Sequence, residues 1–215
     1  MKILAVDTAL GACSVALLRD EQTLGHCCQL MDRGHAEALA PMVEKVMDAA
    51  QVTFAELDRL AVTTGPGTFT GQRVGIAFMR GLRVALRRPL AGITTLAAMA
   101  EAAKAETGLQ RAIALHDARR DEVYLEVDGH LPPTVLPFDE ALQSLRDLSA
   151  DAPVALAGTA APRVCDALAK GFVLSGVRQP DALWVARLAT KATVTEASPL
   201  PLYLRAPDAK LPARP

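Results

Sequence analysis

Gly65-Pro66-Gly67-Thr68-Phe69-Thr70-Gly71 stands between an apolar run, residues 57–63, and a stretch, residues 70–86, in which Val74, Phe78, Leu82 and Ala85 recur at three and four. The first pattern is that of a buried strand and the second that of an amphipathic helix, so the loop joins strand to helix. Glycines at 65 and 67 permit a sharp turn and a close approach of backbone to a ligand. The helix that follows offers unpaired amides and a positive dipole end to an anion. The bland alternative is a tight strand-to-helix connection with no ligand. No Gly-Lys-Ser or Gly-Lys-Thr follows, so this is not a Walker A loop.

Working outward, residues 2–8, 13–19 and 23–30 read as three short strands with turns at 9–11 and 20–22, a meander. Residues 34–50 carry Leu39, Met42, Val43, Val46, Met47 and Ala50 at helical spacing. Pro41 lies inside that helix, and a late start or a kink is expected there. Beyond the loop helix come a strand at 90–93 and a helix at 95–106. Three antiparallel strands followed by helix-linked strands imply a mixed sheet with right-handed crossovers. After Gly108 the pattern partly restarts: strands at 112–116 and 122–127, a break at Pro132-Pro133, a helix at 138–148, a strand at 154–157 and a helix at 162–169. A last helix spans 181–192, an extended segment 199–205 closes against one of the lobes, and 207–215 frays. The expected organisation is an α/β chain of two lobes, residues 1–107 and a shorter echo at 108–198, with a tail at 199–215.

Composition limits what this chain does. It has 215 residues, 51% of them hydrophobic, enough for two modest cores and too apolar for disorder. No apolar run reaches the roughly 20 residues of a bilayer span. Asp7 interrupts the first apolar stretch before a signal-peptide core forms, so a cytosolic protein is expected, with no membrane. A formal net charge of -1 gives no global field for nucleic acid, so no DNA is expected and any RNA contact is local or supplied by a partner. Cys13, Cys27, Cys28 and Cys165 lack C-x-x-C spacing and read as buried fillers. His26, His35, His116 and His130 include no pair four apart, so they read as surface or turn histidines with no metal site. Neither a Gly-x-Ser-x-Gly elbow nor an evident Cys-His pair is present, and no catalytic residue is assigned.

Asp7-Thr8-Ala9, with Gly11 opening the next turn, is a second candidate for phosphate chemistry: a carboxylate there holds a metal-bound water and a hydroxyl meets a phosphate. Its own alternative is a turn former at a strand end. The helix at 34–50 shows more apolar surface than one small sheet requires, and Arg73, Arg80, Arg83 and Arg87 line one face of the next helix. Those arginines read either as a solvated face or as the rim of a partner or anion site.

Asp7-Thr8 with Gly11, the loop from Gly65 to Gly71 continuing into Arg73-Val74-Gly75, Asp117-Ala118-Arg119 with Glu122-Val123-Tyr124, and Pro201-Leu202-Tyr203-Leu204-Arg205 together resemble the bacterial TsaB family over essentially the whole chain. Gln72 departs from the aliphatic residue usual in that family. The resemblance implies an actin-like ATPase and sugar-kinase, or ribonuclease H-like, fold. It also implies a part in making threonylcarbamoyladenosine beside the tRNA anticodon, as non-catalytic companion of the transferase TsaD. TsaE would supply a nucleotide-dependent step, with ATP bound at the complex with TsaE and no cofactor of this chain's own, and TsaC would make the activated intermediate. The phosphate loops, Asp7, Thr8, Gly11, Gly65, Gly67, Thr68 and Gly71, would then be degenerate. The two N-terminal helices would form the surface that pairs with TsaD, or with a second copy when the chain is alone, through Leu39, Met42, Val46, Arg73, Ile76, Arg80 and Arg83. Contact with tRNA would be indirect. The competing readings are an independent small ATPase or phosphotransferase using Asp7, Thr8 and the glycine loop, and, last, a peptidase acting on TsaD.

Overall fold

The computed structural model describes residues 1–205 apart from 128, 147, 149–151 and 169. The first sheet contains β1 (Lys2–Asp7), β2 (Ala12–Arg19), β3 (Gln22–Leu30), β4 (Arg59–Gly65) and β5 (Leu90–Thr94), in the order β3-β2-β1-β4-β5. The short turns after β1 and β2 return the chain antiparallel. The connections through α1 (His35–Ala49) and α2 (Phe69–Leu86) instead bring β4 and β5 in parallel. The expected mixed sheet is therefore observed.

The second sheet repeats the plan. It contains β6 (Ala112–Arg119), β7 (Glu122–Val127), β8 (Leu131–Pro137), β9 (Val154–Ala157) and β10 (Phe172–Leu174), in the order β10-β9-β6-β7-β8. Helices α4 (Phe138–Leu145) and α5 (Ala161–Leu168) follow β8 and β9. Two further helices, α3 (Thr95–Thr107) and α6 (Ala182–Lys191), lie between the sheets.

Strand alternation decides which side chains meet which layer. Leu4, Val6, Val15, Leu17, Leu60 and Val62 face outward onto α1 and α2, while Ile113, Leu115, Val123, Leu125 and Leu156 face outward onto α4 and α5. The inner faces carry many small residues: Ala5, Ala16, Ala61 and Ala91 against α6, beside Ile3, Leu18 and Ile93, and Ala112, Ala114, Ala155 and Ala157 against α3. Small side chains let the inner helices sit close to both sheets. The helices are exchanged with respect to chain order. α3, which completes the first half of the sequence, packs on the second sheet, and α6, from the end of the chain, packs on the first.

Several sequence expectations need correction. α1 starts at His35, ahead of Pro41, and runs through it to Ala49. Both Pro41 and Glu37, whose carbonyl loses its helical partner, are exposed, and a lost bond is tolerated best on such a solvent-facing side. Pro132-Pro133 does not break the chain but lies within β8. β8 is an edge strand, and the prolines fall where its register with β7 shifts between Leu125 and Val127, a place where a missing donor is tolerated. β10 is a further strand that the alternation in so short a segment did not reveal. The helix expected at 138–148 ends at Leu145, with turns at 146 and 148, and the expected helix end at 169 and the tail beyond 205 lie outside the described residues. Cys28 is exposed and not a buried filler, whereas Cys13 is buried; all four cysteines are free. No helix among the described residues is long and apolar enough to cross a membrane.

Candidate functional site

β1 carries Asp7 and Thr8 to the end of the first sheet, where α2 begins. Asp7 is wholly buried. Its Oδ1 accepts from the Thr63 hydroxyl at 2.6 Å and from the Ala9 amide at 3.2 Å, and its Oδ2 has no partner. Burial pushes the carboxyl up from 3.8 to about 7, against the pull of those two donors; the nearby Asp181 charge adds to the rise. The Thr8 hydroxyl donates to the Gly71 carbonyl at 2.7 Å and accepts from the Gly75 amide at 3.0 Å. A carbon added at Gly71 would lie 2.2 Å from the Thr8 carbonyl oxygen, and one at Gly67 would lie 2.4 Å from that of Ala9. The glycines of this loop serve, first of all, to let it and the first turns of α2 rest directly on the end of β1.

Three of the amides that such loops could offer to an anion are used internally. Gly11 N donates to Gln179 Oε1 at 2.9 Å, Thr68 N to the Ala9 carbonyl at 2.8 Å and Gly71 N to the Thr68 hydroxyl at 3.0 Å. Gly65, with φ +109, is backed by the Gln72 side chain, which would lie 2.7 Å from an added Cβ. The carbonyl of Pro66, after a cis Gly65-Pro66 bond, accepts from the Thr95 hydroxyl at 2.7 Å. The second lobe repeats the device: a Cβ at Gly158, φ +103, would lie 1.9 Å from the Leu115 carbonyl oxygen.

In front of this junction lies a cleft of about 1030 Å3 between the lobes, lined by residues of both and by Leu202 to Arg205 of the tail. Gly11, Gly67 and Thr68 line it; Asp7, Thr8, Gly65 and Gly71 lie behind the wall. From the second lobe come His116, Asp117, Arg119 and Tyr124. His116 is buried, not a surface histidine, and burial holds its imidazole down at about 4, so it is neutral at pH 7. The turn after β6 puts Arg119, Arg120 and Asp121 in the left-handed region in succession, an uncommon conformation for residues with a side chain.

The tail, residues 196–205, is a strap. Leu202 N donates to the Thr64 carbonyl at 2.7 Å, Arg80 holds the Pro199 carbonyl at 2.6 Å, and Arg83 grips Ser198 and the Glu196 carbonyl. Arg73 donates to the Tyr203 hydroxyl at 2.7 Å and lies over the Phe69 ring. At the far end Arg205 donates to the Ala118 carbonyl at 2.7 Å and pairs with Glu122. The strap therefore closes against both lobes, not one.

The expected phosphate-loop residues do meet at one place. The expected partner surface does not form as proposed. Leu39, Met42, Val46 and Ile76 are 1 to 7% exposed and fill the core between α1, α2 and the sheet, because the helical stripe that reads as excess apolar surface is the one the sheet covers. Arg73, Arg80 and Arg83 hold the strap. The faces of α1 and α2 that remain exposed carry Ala36, Ala40, Ala77, Gly81 and Val84. Sequence reasoning missed Gln179, which closes the β1 turn from 168 residues away and has no local signal. It also missed the role of Gln72, whose Nε2 caps the Gly67 carbonyl at 2.9 Å; its polarity at a buried helix position was the available clue.

Comparison with known proteins places this architecture. The sequence model of the family described as "TsaD: tRNA N6-adenosine threonylcarbamoyltransferase" matches residues 20–170. The chain is 40% identical over 124 residues to the tRNA threonylcarbamoyladenosine biosynthesis protein TsaB of Escherichia coli K12, a match covering 58% of this chain and 53% of that protein. The match thus spans about half the length of that relative. The solved structure of YeaZ from Pseudomonas aeruginosa is 32% identical, with a TM-score of 0.78 over 94% of this chain and 99% of that one. Component A of (R)-2-hydroxyglutaryl-CoA dehydratase from Acidaminococcus fermentans, at 11% identity, shares the fold alone, with a TM-score of 0.51 over 87% of this chain and 97% of that one. The fold is the two-lobed actin-like one.

Proposed function

We propose, because this chain belongs to the TsaD family and is TsaB/YeaZ-like within it, that it works in threonylcarbamoylation of tRNA as a non-catalytic partner and not as the transferase. The observation that carries the reading is the closure of its own phosphate position. The β1 carboxylate is wholly buried beneath the loop, and the Gly11, Thr68, Gly71 and Gly75 amides are spent within the chain. A carboxylate that organises a metal and phosphates must reach them. In support, the relatives at this level of identity are named as threonylcarbamoyladenosine biosynthesis proteins. Cys13 is buried, and the exposed Cys28 is pushed up to about 12, chiefly by desolvation, which makes it a poor nucleophile for a peptidase.

In this reading the chain is cytoplasmic and supports a TsaD-type transferase, with ATP entering through a TsaE-type partner. The docking face is the exposed side of α1 and α2, where Ala36, Ala40, Ala77 and Gly81 allow close helix approach. The same face pairs two copies when the chain is alone. The test is reconstitution of tRNA threonylcarbamoylation with TsaC, TsaD, TsaE, ATP, threonine and bicarbonate, with and without this chain. Modification that requires the chain and survives Asp7→Asn supports the reading; modification without the chain refutes it.

A second reading, an independent ATPase or phosphotransferase, is favoured by one feature. Gln72 Oε1 and His116 Nδ1 are buried without partners, on residues that line the cleft from opposite lobes. ATP turnover by the purified chain, lost on Gln72→Leu with the fold retained, would establish it.

A further inference from the structure

The arginines of α2 hold the strap through neutral groups. Arg80 and Arg83 bond main-chain carbonyls and the Ser198 hydroxyl, Arg73 bonds the Tyr203 hydroxyl, and Arg88 bonds the Ala55 carbonyl at 3.0 Å. A carbonyl satisfies a guanidinium's hydrogen-bonding geometry without cancelling its charge. None of these four, nor Arg87, forms an ion pair with a described residue. Arg87, exposed at the C-cap of α2, makes no hydrogen bond or ion pair among the described residues. The uncancelled charge follows a helix of 18 residues, roughly 27 Å long. At one end Arg83, Arg87 and Arg88 surround a hollow of about 390 Å3, with Glu196 as its one carboxylate. At the other end Phe69 and Tyr203, both about half exposed, stack at 5.5 Å between ring centres, with the Arg73 guanidinium 3.4 Å above the Phe69 ring centre.

A track of uncompensated cations that leads to an exposed aromatic platform is what single-stranded nucleic acid recognises: phosphates follow the charge and a base stacks on the ring. We propose that this edge of α2 and the strap is an RNA-binding surface, with Arg87 and its neighbours on backbone phosphates and an unpaired base against the side of the Phe69–Tyr203 pair that Arg73 leaves exposed. The inference rests on the tRNA-modification reading and deepens it, since the chain would touch the RNA itself. With a formal net charge of -1, attraction comes from this local edge and not from the molecule as a whole.

The experiment is fluorescence anisotropy of the full chain with a fluorescein-labelled unmodified tRNA transcript, titrated between 50 and 200 mM salt. Affinity is expected to fall linearly with salt on logarithmic axes. Arg87→Ala, which removes no hydrogen bond or ion pair among the described residues, should reduce the slope by about 0.7 to 0.9, the share of one phosphate contact. Lys45→Ala, on the exposed side of α1, should leave the slope unchanged. Phe69→Ala should weaken binding by about fivefold or more without changing the slope. No salt-dependent binding at 50 mM overturns the inference. So does an equal loss of slope in Arg87→Ala and Lys45→Ala, which would mark the attraction as unspecific. The two proposals fail separately. A chain that is required in reconstitution but does not bind the transcript loses only this surface. A chain that binds with the expected slopes but is dispensable loses only the proposed function.

Discussion

Replacing Asp7 by Asn should stabilise the protein above neutral pH and leave it nearly unchanged in acid. In the folded chain the carboxyl binds its proton up to about pH 7, whereas an unfolded aspartate releases it near 3.8. Between those values the folded state holds a proton that the unfolded state has lost, so stability falls as pH rises, by about 1.4 kcal/mol per pH unit. The full contribution is present below pH 3.8 and gone above 7, with a ceiling of about 4 kcal/mol over the window. Asn presents the same oxygen to Thr63 and Ala9. Its amide group replaces Oδ2, which has no partner, much as the protonated carboxyl does, so wild type and variant should agree within about 1 to 2 kcal/mol at pH 5. By pH 8 the variant should have gained about 3 kcal/mol relative to wild type, a shift of about 1 M or more in the urea midpoint. Urea melts at pH 5, 6, 7 and 8 read this directly. Midpoints that move in parallel across the four pH values would refute the reasoning, because Asp7 would then not be the buried titrating group. The same variant decides the functional question, since a carboxylate that worked on phosphate could not be replaced by an amide.

Three further outcomes follow from the packing. Gly71→Ala puts a carbon 2.2 Å from the Thr8 carbonyl oxygen and 2.6 Å from the Thr68 hydroxyl, so α2 must lift from β1 at a loss of about 3 kcal/mol, read as a melting temperature lower by about 6 to 12 °C. Val46→Glu, at a position 2% exposed, should lose about 3 kcal/mol or more and not fold cleanly, whereas Ala40→Glu on the exposed side should hold the wild-type melting temperature and abolish co-elution with a TsaD-type partner. Arg80→Ala frees the Pro199 carbonyl, and hydrogen exchange should quicken at Leu202, whose amide bonds Thr64, while the β1 and β4 amides keep their protection.

Much of the fold was legible because periodicity is a local property. The meander, the helix-linked strands and the repeat of the pattern after Gly108 all come from alternation and turn residues within windows of a dozen positions. The failures are non-local. Pro132 and Pro133 look like a break until β8 is known to be an edge, which only the order of the sheet reveals. The stripe of Leu39, Met42 and Val46 has the right spacing for a buried face, but spacing alone does not say whether sheet or partner covers it. The glycine loop was found from sequence, yet its meaning turned on contacts of Gly67 and Gly71 with the end of β1, more than 55 residues away. The arginines were seen as a stripe; that their ligand is the chain's own strap could not be read from composition.

The inner layers explain why this architecture suits a rigid body better than a hinged one. Catalysts of the two-lobed kind open and close around their cleft, which requires a joint that bends with few contacts crossing it. Here α3 and α6 are exchanged between the sheets and packed on alanine-rich faces, so displacing one lobe means separating close-packed surfaces. The β1 turn is tied to the chain before α6 by Gln179, and β3 is tied to the N-cap of α6 by the His26–Asp181 bond at 2.8 Å. Across the mouth of the cleft the strap bonds Thr64 on one side and Ala118 on the other. Opening would break these contacts together, and the buried Asp7 would still not reach the space exposed. A surface whose position relative to a partner must not change gains from such bracing, which is what the proposed supporting role would require.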